Sequence, residues 1–388
     1  MRCTDRPNKS NSRNRAQRTD NVKRHSRARR KRKLMIRRML FLLTVLCVFA
    51  VVILIKQNMK EETFVAEYEA SNYNKPIYRG DLYSADLCVA SENIDMEGAP
   101  DTGSLKAAAL FDVDGENTHF AYNVHEKLYP ASLTKLMTAL VALENGNLSD
   151  TVTVSANADS DTFAYDEQVC GIQEGDELTL EDLLGGLLLY SGNDNAVAIA
   201  EHVGVSVENF AEMMNAKAKE IMATNSHFVN PNGLHDDDHY TTAYDMYLIF
   251  NECIKYDKFI EIIESDSYTA NIKRETNTTE GSDAISSDTT DTSLSEDSHM
   301  EITQGEPGYV KIKWKPTNYY ALGDAKLPKT GKIIGGKTGT TLRAGNCLIL
   351  LDESESGKPY ISIVMGAETK EILYQDMTAL IEGIPVTE

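Results

Sequence analysis

Seventeen consecutive residues without a charge, MLFLLTVLCVFAVVILI at positions 39–55, divide this chain of 388 residues into two parts of opposite charge. Residues 1–38 hold 16 of the 39 lysines and arginines and only two acids. The rest of the chain carries 23 basic and 57 acidic side chains. A helix of seventeen residues covers roughly 25 Å at about 1.5 Å per residue, the short end of a membrane span. The sequence therefore predicts one transmembrane helix between two compartments.

The charge asymmetry also predicts the orientation of that helix. Arg37 and Arg38 directly precede the apolar stretch, and cationic flanks stay in the cytoplasm. A cleaved signal peptide is the alternative, but its apolar core is usually shorter, and the following KQNMKEETF has no small-x-small cleavage site. We therefore predict a single-pass protein of the cell membrane. Its segments are a disordered basic cytoplasmic tail at 1–38, an anchor at 39–55, a stalk at 56–81 and an extracytoplasmic domain at 82–388.

The basic tail has two interpretations. Segments rich in lysine and arginine bind nucleic acid or anionic lipid in some proteins. A disordered segment that only sets membrane orientation is the simpler interpretation. We expect the membrane, and no nucleic acid, as the partner of the N-terminal region.

The predicted extracytoplasmic domain alternates between strand-like and helical sequence. LKAAALFDVDGENTHFAYN indicates a hairpin that turns at Asp114-Gly115, and SLTKLMTALVALENGN indicates a buried helix that ends at Asn145-Gly146. More helical segments follow, and NCLILLDE and PYISIVMG return to strands. This order predicts an α+β fold in which a helical block packs against an antiparallel sheet.

An acidic segment and four cysteines are two further features of the predicted domain. Residues 274–306 are mainly Ser, Thr, Asp and Glu, so their burial cannot offset the entropy of ordering them, and we predict a disordered acidic insertion. The four cysteines of the domain form no C-x-x-C pair and no zinc spacing, and both disulfides and buried thiols fit the sequence. They are Cys88, Cys170, Cys253 and Cys347.

Ser132 and Lys135 are the first candidate catalytic residues. If a helix begins near Ser132, the two side chains share one face. A serine needs a base within hydrogen-bond reach, and a lysine can be that base when burial and nearby positive charge depress its pKa. A capping serine beside a surface lysine is the alternative, and this spacing alone does not decide between them.

Two other short motifs follow along the chain. Ser191 and Asn193 flank Gly192 at a break in apolar helical sequence, where both side chains could face one cavity. Lys-Thr-Gly occurs twice, at 329–331 and 337–339. Pro328 disfavours a central strand at the first copy, so we predict a turn there and a strand at the second. Such a strand could pair with an extended peptide.

Together the motifs S-x-x-K, S-x-N and K-T-G resemble those of the D-alanyl-D-alanine carboxypeptidases among the low-molecular-mass penicillin-binding proteins. PASLTKLMTALVALE, LLYSGNDNAVAIAEHVG and GGKTGTTLRAGNCL look like that family beyond the motifs, and the resemblance extends over residues 82–385. It implies a β-lactamase/transpeptidase-like fold at 82–388. It also implies an enzyme that removes the terminal D-Ala from peptidoglycan pentapeptide stems ending in D-Ala-D-Ala, and that β-lactam antibiotics inhibit.

The resemblance also implies a role for each motif residue. Ser132 would form the acyl-enzyme, Lys135 would be its base, and Ser191 and Asn193 would position the substrate and relay protons. Of the substrate-binding residues, Lys337 and Thr338 would hold the substrate carboxylate and Gly339 would be a spacer, while the N–H groups of Ser132 and Thr340 would bind the oxyanion. Which of Lys135, Lys337 and Ser191 takes the first proton stays open.

The sequence departs from related families at two points. Gly192 stands where class A β-lactamases carry Asp, and S-G-N is usual for the carboxypeptidases. Many carboxypeptidases add a β-rich C-terminal domain and an amphipathic anchor. Because the sequence ends at Glu388, we expect neither of them and assign the anchoring to the N-terminal span.

Two other functions and a metal site fit the sequence less well. A β-lactamase or esterase would need an efficient deacylating base, which no motif indicates, and a non-catalytic penicillin sensor would not need every substrate-binding residue. His235 and His239 flank three aspartates, but they follow the turn sequence Asn230-Pro231-Asn232-Gly233. Helical spacing of the two histidines is thus not secured, and we predict no metal and no cofactor.

Overall fold

The computed structural model describes residues 87–274 and 299–385, together with Met35, Met39 and Leu43. The chain divides into two units, residues 1–81 and 82–388, and both long described segments lie in the second. Apart from those three single residues, the predicted tail, anchor and stalk lie outside the described part. Within the described part, no helix combines the length and the apolar character that a bilayer crossing requires.

Ten strands and eight helices are present in the two long described segments. The strands are β1 Ala107–Asp112, β2 Asn117–Tyr122, β3 Thr151–Thr153, β4 Glu177–Thr179, β5 Tyr268–Lys273, β6 Met300–Gln304, β7 Tyr309–Trp314, β8 Lys332–Thr341, β9 Gly345–Glu353 and β10 Pro359–Ala367. The helices are α1 Thr134–Asn145, α2 Leu180–Gly185, α3 Asn193–Gly204, α4 Val207–Glu220, α5 Ala243–Cys253, α6 Asp257–Glu264, α7 Tyr319–Leu322 and α8 Lys370–Glu382.

The main sheet is antiparallel, with the strand order β2-β1-β10-β9-β8. Its strands β1 and β2 form the hairpin predicted at Asp114-Gly115, which is confirmed. Alternate residues of β1 enter different cores: Ala107, Ala109 and Phe111 pack towards the helical block, and Ala108 and Leu110 pack with α8 on the other face. The predicted α+β arrangement of an antiparallel sheet with packed helices is therefore confirmed.

Helix α1 is the centre of the helical block. Every residue from Thr134 to Ala142 is buried, and the helix packs against α3, α4 and α5. The helix ends at Asn145, and the N–H of the next residue, Gly146, donates to the carbonyl of Ala142. A helix that is apolar on nearly all sides has to be surrounded by protein, and the sequence prediction for this segment is confirmed.

A second antiparallel sheet, with the strand order β3-β4-β5-β7-β6, was not predicted. It includes residues at one end of the segment 274–306 that the sequence predicts to be disordered. Residues 275–298 lie outside the described part. At the two ends of the predicted insertion the chain is ordered: Arg274 forms an ion pair with Asp176 at 2.6 Å, and Met300–Gln304 form the edge strand β6. Four of these five strand residues are exposed. The prediction of disorder over the whole of 274–306 was wrong because an edge strand is held by backbone hydrogen bonds to one neighbour and buries few side chains.

The four cysteines of the domain are buried free thiols, which decides between the two alternatives that the sequence left open. Burial raises the pKa of Cys88 and of Cys347 to about 11, so both thiols are protonated at neutral pH.

Asp352 in β9 is fully buried on the face that packs with α8. Neither carboxylate oxygen has a hydrogen-bond partner among the described residues. Burial raises the pKa of Asp352 to about 7, and the Ser362 hydroxyl lowers it only in part. That hydroxyl lies near the carboxylate without forming an aligned hydrogen bond, since it too is unpartnered.

We predict that Asp352→Asn stabilises the protein at pH 8 more than at pH 5. The raised pKa means that the bound proton contributes fully to stability below the unfolded value of 3.8, and that this contribution is lost as the pH rises through about 7. The substitution removes the cost of ionisation, on the order of 1 kcal/mol or more at pH 8. Thermal unfolding at both pH values measures it, with Glu355→Gln in the exposed β9–β10 turn as the control. An equal effect at the two pH values would contradict the prediction.

Candidate active site

Lys135 and Ser132 meet at the beginning of α1. Residues Ala131–Leu133 form one turn of 3₁₀-helix that continues into α1, so Ser132 lies one turn before Lys135. Lys135 Nζ lies 3.1 Å from Ser132 Oγ. Ser132 is half-buried, whereas the lysine is fully buried. The predicted shared face is therefore present.

Two further acceptors fix the Lys135 amine. Its Nζ donates to Asn193 Oδ1 at 2.7 Å and to the carbonyl of Asn232 at 2.7 Å. A neutral amine has two N–H bonds and one lone pair. With both N–H bonds directed at amide oxygens, the lone pair is left for the Ser132 hydroxyl, which can donate.

Burial is also the main influence on the protonation of this lysine. It lowers the pKa of Lys135 to about 7, against the raising effect of Cys170, Asp194 and Glu167. The neutral amine is therefore well populated near neutral pH, and Lys135 meets the pKa requirement for a general base.

Ser191 and Asn193 lie at a break between two helices, as the glycine break predicts. A π-helical turn, Gly186–Tyr190, follows α2, and Ser191 adopts the left-handed region at φ 71° before α3 begins at Asn193. The turn directs the two side chains to two different lysines. Asn193 contacts Lys135, and Ser191 Oγ accepts from Lys337 Nζ at 2.8 Å.

Strand β8 carries the second Lys-Thr-Gly into this site. Lys337 is 1% exposed, and burial together with the charge of Lys135 lowers its pKa. Its Nζ also donates to the carbonyl of Thr338 at 2.9 Å, while Thr338 Oγ1 lies 2.6 Å from Thr317 Oγ1. Thr340 Oγ1 donates to Asn346 Oδ1 at 3.2 Å.

Gly339 sets how closely β8 approaches the serine. A Cβ at this position would lie 3.1 Å from the Ser132 nitrogen and 3.2 Å from that of Leu133. This contact is tighter than ordinary van der Waals packing allows without a shift. The glycine thus lets the strand backbone lie against the turn that carries Ser132.

The first Lys-Thr-Gly lies elsewhere. Lys329 is 74% exposed and its Nζ is 3.8 Å from Glu382 Oε2, while Gly331 has a φ of 78° in a turn before β8. The predicted turn at the first copy and strand at the second are both confirmed.

Most of the motif residues line one cleft of about 770 Å³, and the two lysines lie buried beside it. The predicted residues on its wall are Ser132, Ser191, Asn193, Thr338, Gly339 and Thr340. It therefore has room for an extended peptide segment next to the serine.

Several residues of the site were not predicted. The Asn232 carbonyl holds Lys135, and Gly233 has a φ of 87° in a place where a Cβ would lie 1.9 Å from the Ala131 carbonyl oxygen. Thr317 contacts Thr338, and the Gln168 carbonyl accepts from the Asn193 N–H at 2.8 Å. The turn sequence Asn230–Gly233 was the only available signal, because a backbone carbonyl leaves no side-chain pattern.

The two histidines near this turn do not converge. His239 is buried, its Nε2 lies 2.8 Å from Thr134 Oγ1, and its Nδ1 accepts from the Val229 N–H at 3.2 Å. Burial lowers its pKa to about 4, so the ring is neutral at neutral pH. His235 Nε2 lies 3.4 Å from Asp237 Oδ1 instead. Within 87–274 and 299–385, no three His, Cys, Asp or Glu side chains form a group that could hold a metal ion.

The main sheet, the helical block packed on it and the cleft beside β8 together define a class of protein. It is the class of serine enzymes that share the DD-peptidase and β-lactamase fold. Solved structures show this likeness directly. Penicillin binding protein 5 of Haemophilus influenzae aligns with a TM-score of 0.57 and 26% identity, over 76% of this chain and 72% of that one. The Streptomyces K15 DD-transpeptidase aligns with a TM-score of 0.60 and 23% identity, over 74% of this chain and 98% of that one.

Sequence comparison identifies the family within this class. A family model described as D-alanyl-D-alanine carboxypeptidase matches residues 95–295, just over half of the chain. The D-alanyl-D-alanine carboxypeptidase DacF of Bacillus subtilis is 40% identical over 157 residues. That alignment covers 39% of this chain and 39% of DacF, so the match spans about two fifths of the length of the curated relative. The chain belongs to the D-alanyl-D-alanine carboxypeptidase family of serine peptidases.

We predict opposite outcomes for the two lysines of the repeated tripeptide. Lys337→Ala should lower hydrolysis of a D-Ala-D-Ala peptide by roughly a hundredfold or more, because it removes the amine that contacts Ser191 and that a substrate carboxylate would meet. Lys329→Ala, the matched control in the exposed turn, should stay within about twofold of the wild type. Release of D-Ala measures both variants. Loss of activity in the control alone would reverse the assignment.

Proposed function

We propose that this chain is a membrane-anchored serine D-alanyl-D-alanine carboxypeptidase that trims the terminal D-Ala from peptidoglycan stem peptides. One observation carries the proposal. Lys135 is fully buried, and its Nζ donates to two amide oxygens and lies 3.1 Å from Ser132 Oγ. A buried amine within reach of a serine hydroxyl is the arrangement that proton abstraction from the serine requires.

The reaction begins with attack of Ser132 Oγ on the carbonyl carbon of the penultimate D-Ala. The hydroxyl proton passes to Lys135 Nζ, and the N–H groups of Ser132 and Thr340 stabilise the oxyanion. When the C–N bond breaks, the leaving D-Ala nitrogen takes a proton that returns from Lys135, with Ser191 as the relay. Water then attacks the acyl-serine ester by the same route in reverse, which releases the shortened peptide and restores the hydroxyl.

The terminal carboxylate of the substrate binds beside Lys337 and Thr338. The Thr338 hydroxyl is oriented by its contact with Thr317, and Lys337 Nζ is held by Ser191. Burial disfavours the charged form of Lys337, but an arriving carboxylate favours it, so the lysine is best satisfied when substrate is present. A β-lactam presents a carboxylate and a reactive carbonyl in a comparable way, and we propose β-lactam antibiotics as acylating inhibitors.

A β-lactamase is the second candidate, because Glu167 lines the same cleft. Its Oε2 accepts from the Ala164 N–H at 3.0 Å, which fixes a carboxylate at the rim. A carboxylate that reached the acyl-serine could activate water. Rapid turnover of penicillin that is lost in Glu167→Gln would support this second function.

The location of the chain is part of the proposal. The uncharged stretch at 39–55 and the basic residues before it support a single-pass anchor with the N-terminus in the cytoplasm. The family's substrate is a cell-wall peptide, which supports a location of domain 82–388 outside the membrane, joined to it by the stalk at 56–81. Residues 1–38 would remain a cytoplasmic tail.

We predict that Ser132→Ala abolishes both reactions of the protein. The purified full chain should release D-Ala from a diacetylated Lys-D-Ala-D-Ala tripeptide and form a stable adduct with a fluorescent penicillin. The variant should lose both activities by roughly a thousandfold or more, since it removes the nucleophile that forms the acyl-enzyme. Penicillin labelling without D-Ala release would indicate a sensor instead. Full activity in the variant would refute the site assignment.

We predict that the acylation rate rises with pH through about 7. The base must be the free amine, so the rate should fall about tenfold per unit below the pKa of Lys135, which is about 7. The second-order rate of penicillin acylation between pH 5 and 9 measures it. Lys135→Arg, which stays charged, should abolish the reaction at every pH. A rate that is constant from pH 5.5 to pH 7.5 would exclude Lys135 as the base.

A further inference from the structure

Asp194 follows Asn193 in the first turn of α3 and has no role in the steps above. Its side chain is fully buried. The two carboxylate oxygens accept from the Cys170 N–H at 2.9 and 2.8 Å, from the Gly171 N–H at 3.0 Å and from the Asn195 N–H at 2.9 Å. A buried carboxylate is tolerated when such donors replace water.

The backbone that Asp194 binds belongs to the lip of the cleft. Residues 166–168 line the cleft, and the Gln168 carbonyl holds the N–H of Asn193. Trp314 Nε1 donates to the Cys170 carbonyl at 3.1 Å, and Arg274 Nη2 donates to the Gly171 carbonyl at 3.0 Å. We name residues 166–172 the lip loop. The loop is held from α3 by the aspartate and from the second sheet by these two donors.

Gly192 shows that this arrangement leaves no space for a side chain in the middle of the motif. A Cβ there would lie 2.5 Å from Cys170 Sγ and 2.7 Å from Asp194 Oδ1. The space beside the turn is thus occupied by a thiol and by the carboxylate. This explains Ser-Gly-Asn in this chain, since a middle aspartate and Asp194 would compete for one place.

Asp194 also has an electrostatic effect on the site. The charged or titratable groups that act on Lys135 are Asp194, Glu167, Cys170 and Lys337. Of these, Asp194 is the fully buried carboxylate, and its charge raises the pKa of Lys135 against the effect of burial. Burial raises the pKa of Asp194 itself to about 6, against its backbone donors, so it is charged at neutral pH.

We propose that Asp194 is a positioning residue: its carboxylate fixes the lip loop against the Ser191–Asn193 turn and supplies a fixed negative charge near Lys135. The loop then holds Asn193 through the Gln168 carbonyl and holds the substrate stem at the rim. This inference rests on the proposed function.

The test compares Asp194→Asn with the wild type in the purified full chain. Asn retains one acceptor oxygen, but its amide N–H groups would face the backbone N–H donors that the carboxylate binds. The lip loop should therefore loosen, and KM for the diacetylated tripeptide should rise roughly tenfold. Loss of the charge should move the acid limb of kcat/KM to lower pH by roughly half a unit or more. Amide hydrogen exchange over residues 168–172 should accelerate.

Two controls separate positioning from simple destabilisation. Asp352→Asn makes the same change at another fully buried aspartate, which lies on the α8 face of the main sheet and does not line the cleft, and should leave KM and the acid limb unchanged. Arg274→Gln removes both the donor to the Gly171 carbonyl and the ion pair with Asp176 but keeps the Asp194 carboxylate, so KM should rise while the acid limb stays in place. This variant also tests the loop if Asp194→Asn does not fold, and an unchanged KM there would overturn the positioning role.

The possible failures are distinguishable. If the wild type releases D-Ala and Asp194→Asn keeps its KM and its acid limb, the inference fails and the proposed function stands. If the wild type releases no D-Ala, the proposed function fails and the inference fails with it. Faster exchange in Asp194→Asn with unchanged KM and acid limb would reduce Asp194 to a structural residue and would likewise overturn the inference.

Discussion

The buried amine of Lys135 is the constraint on which the rest of the structure depends. A charged or hydrogen-bonding group at this depth is costly unless every partner is in place. Its three partners come from three parts of the chain: Ser132 from the turn before α1, Asn193 from the beginning of α3, and the Asn232 carbonyl from the loop before α5. The Ser132 turn, the helical block and the Asn232 loop have to be packed together before the amine is satisfied. The site is therefore a product of the whole domain.

Close backbone approach is the second requirement of this arrangement, and glycines meet it at two places. Gly339 brings β8 against the Ser132 turn, and Gly233 brings the Asn232 loop against the Ala131 carbonyl in a left-handed conformation. At Gly233 a side chain would both strain the backbone and collide with another backbone atom, so no rotamer change relieves it. These contacts keep the Asn232 carbonyl near Lys135 and the strand near the serine. The chemistry of the site thus depends on backbone clearance as much as on the identity of its side chains.

The sequence allowed those parts of the fold and of the site to be predicted whose geometry depends on neighbouring residues. The spacing of Ser132 and Lys135 places both on one helical face, and Pro328 disfavours a central strand at the first Lys-Thr-Gly copy. Both relations involve neighbouring residues only. Three other features depend on long-range backbone positions. The Asn232 carbonyl and the lip loop act through main-chain atoms, and β6 is an exposed edge strand with almost nothing in its composition to indicate it. The second sheet was missed for the same reason, since β3 and β4 are only three residues long and are recognised by their partners.

Two buried lysines near one another raise the question of which one is the base, and their partners distinguish them. Both pKa values are lowered by burial, and the charge of Lys135 lowers that of Lys337 further, so the two ammonium groups disfavour each other. Lys135 has two amide oxygens that use its N–H bonds and a hydroxyl that can donate to its lone pair. Lys337 is bonded to the Ser191 hydroxyl and the Thr338 carbonyl, beside a cleft wall where a substrate carboxylate would add a negative charge. That carboxylate stabilises the proton on Lys337, and a charged Lys337 in turn favours a neutral Lys135. On this argument substrate binding itself would prepare Lys135 as the base, and Ser191, which accepts from Lys337 Nζ, would link that lysine to the leaving nitrogen.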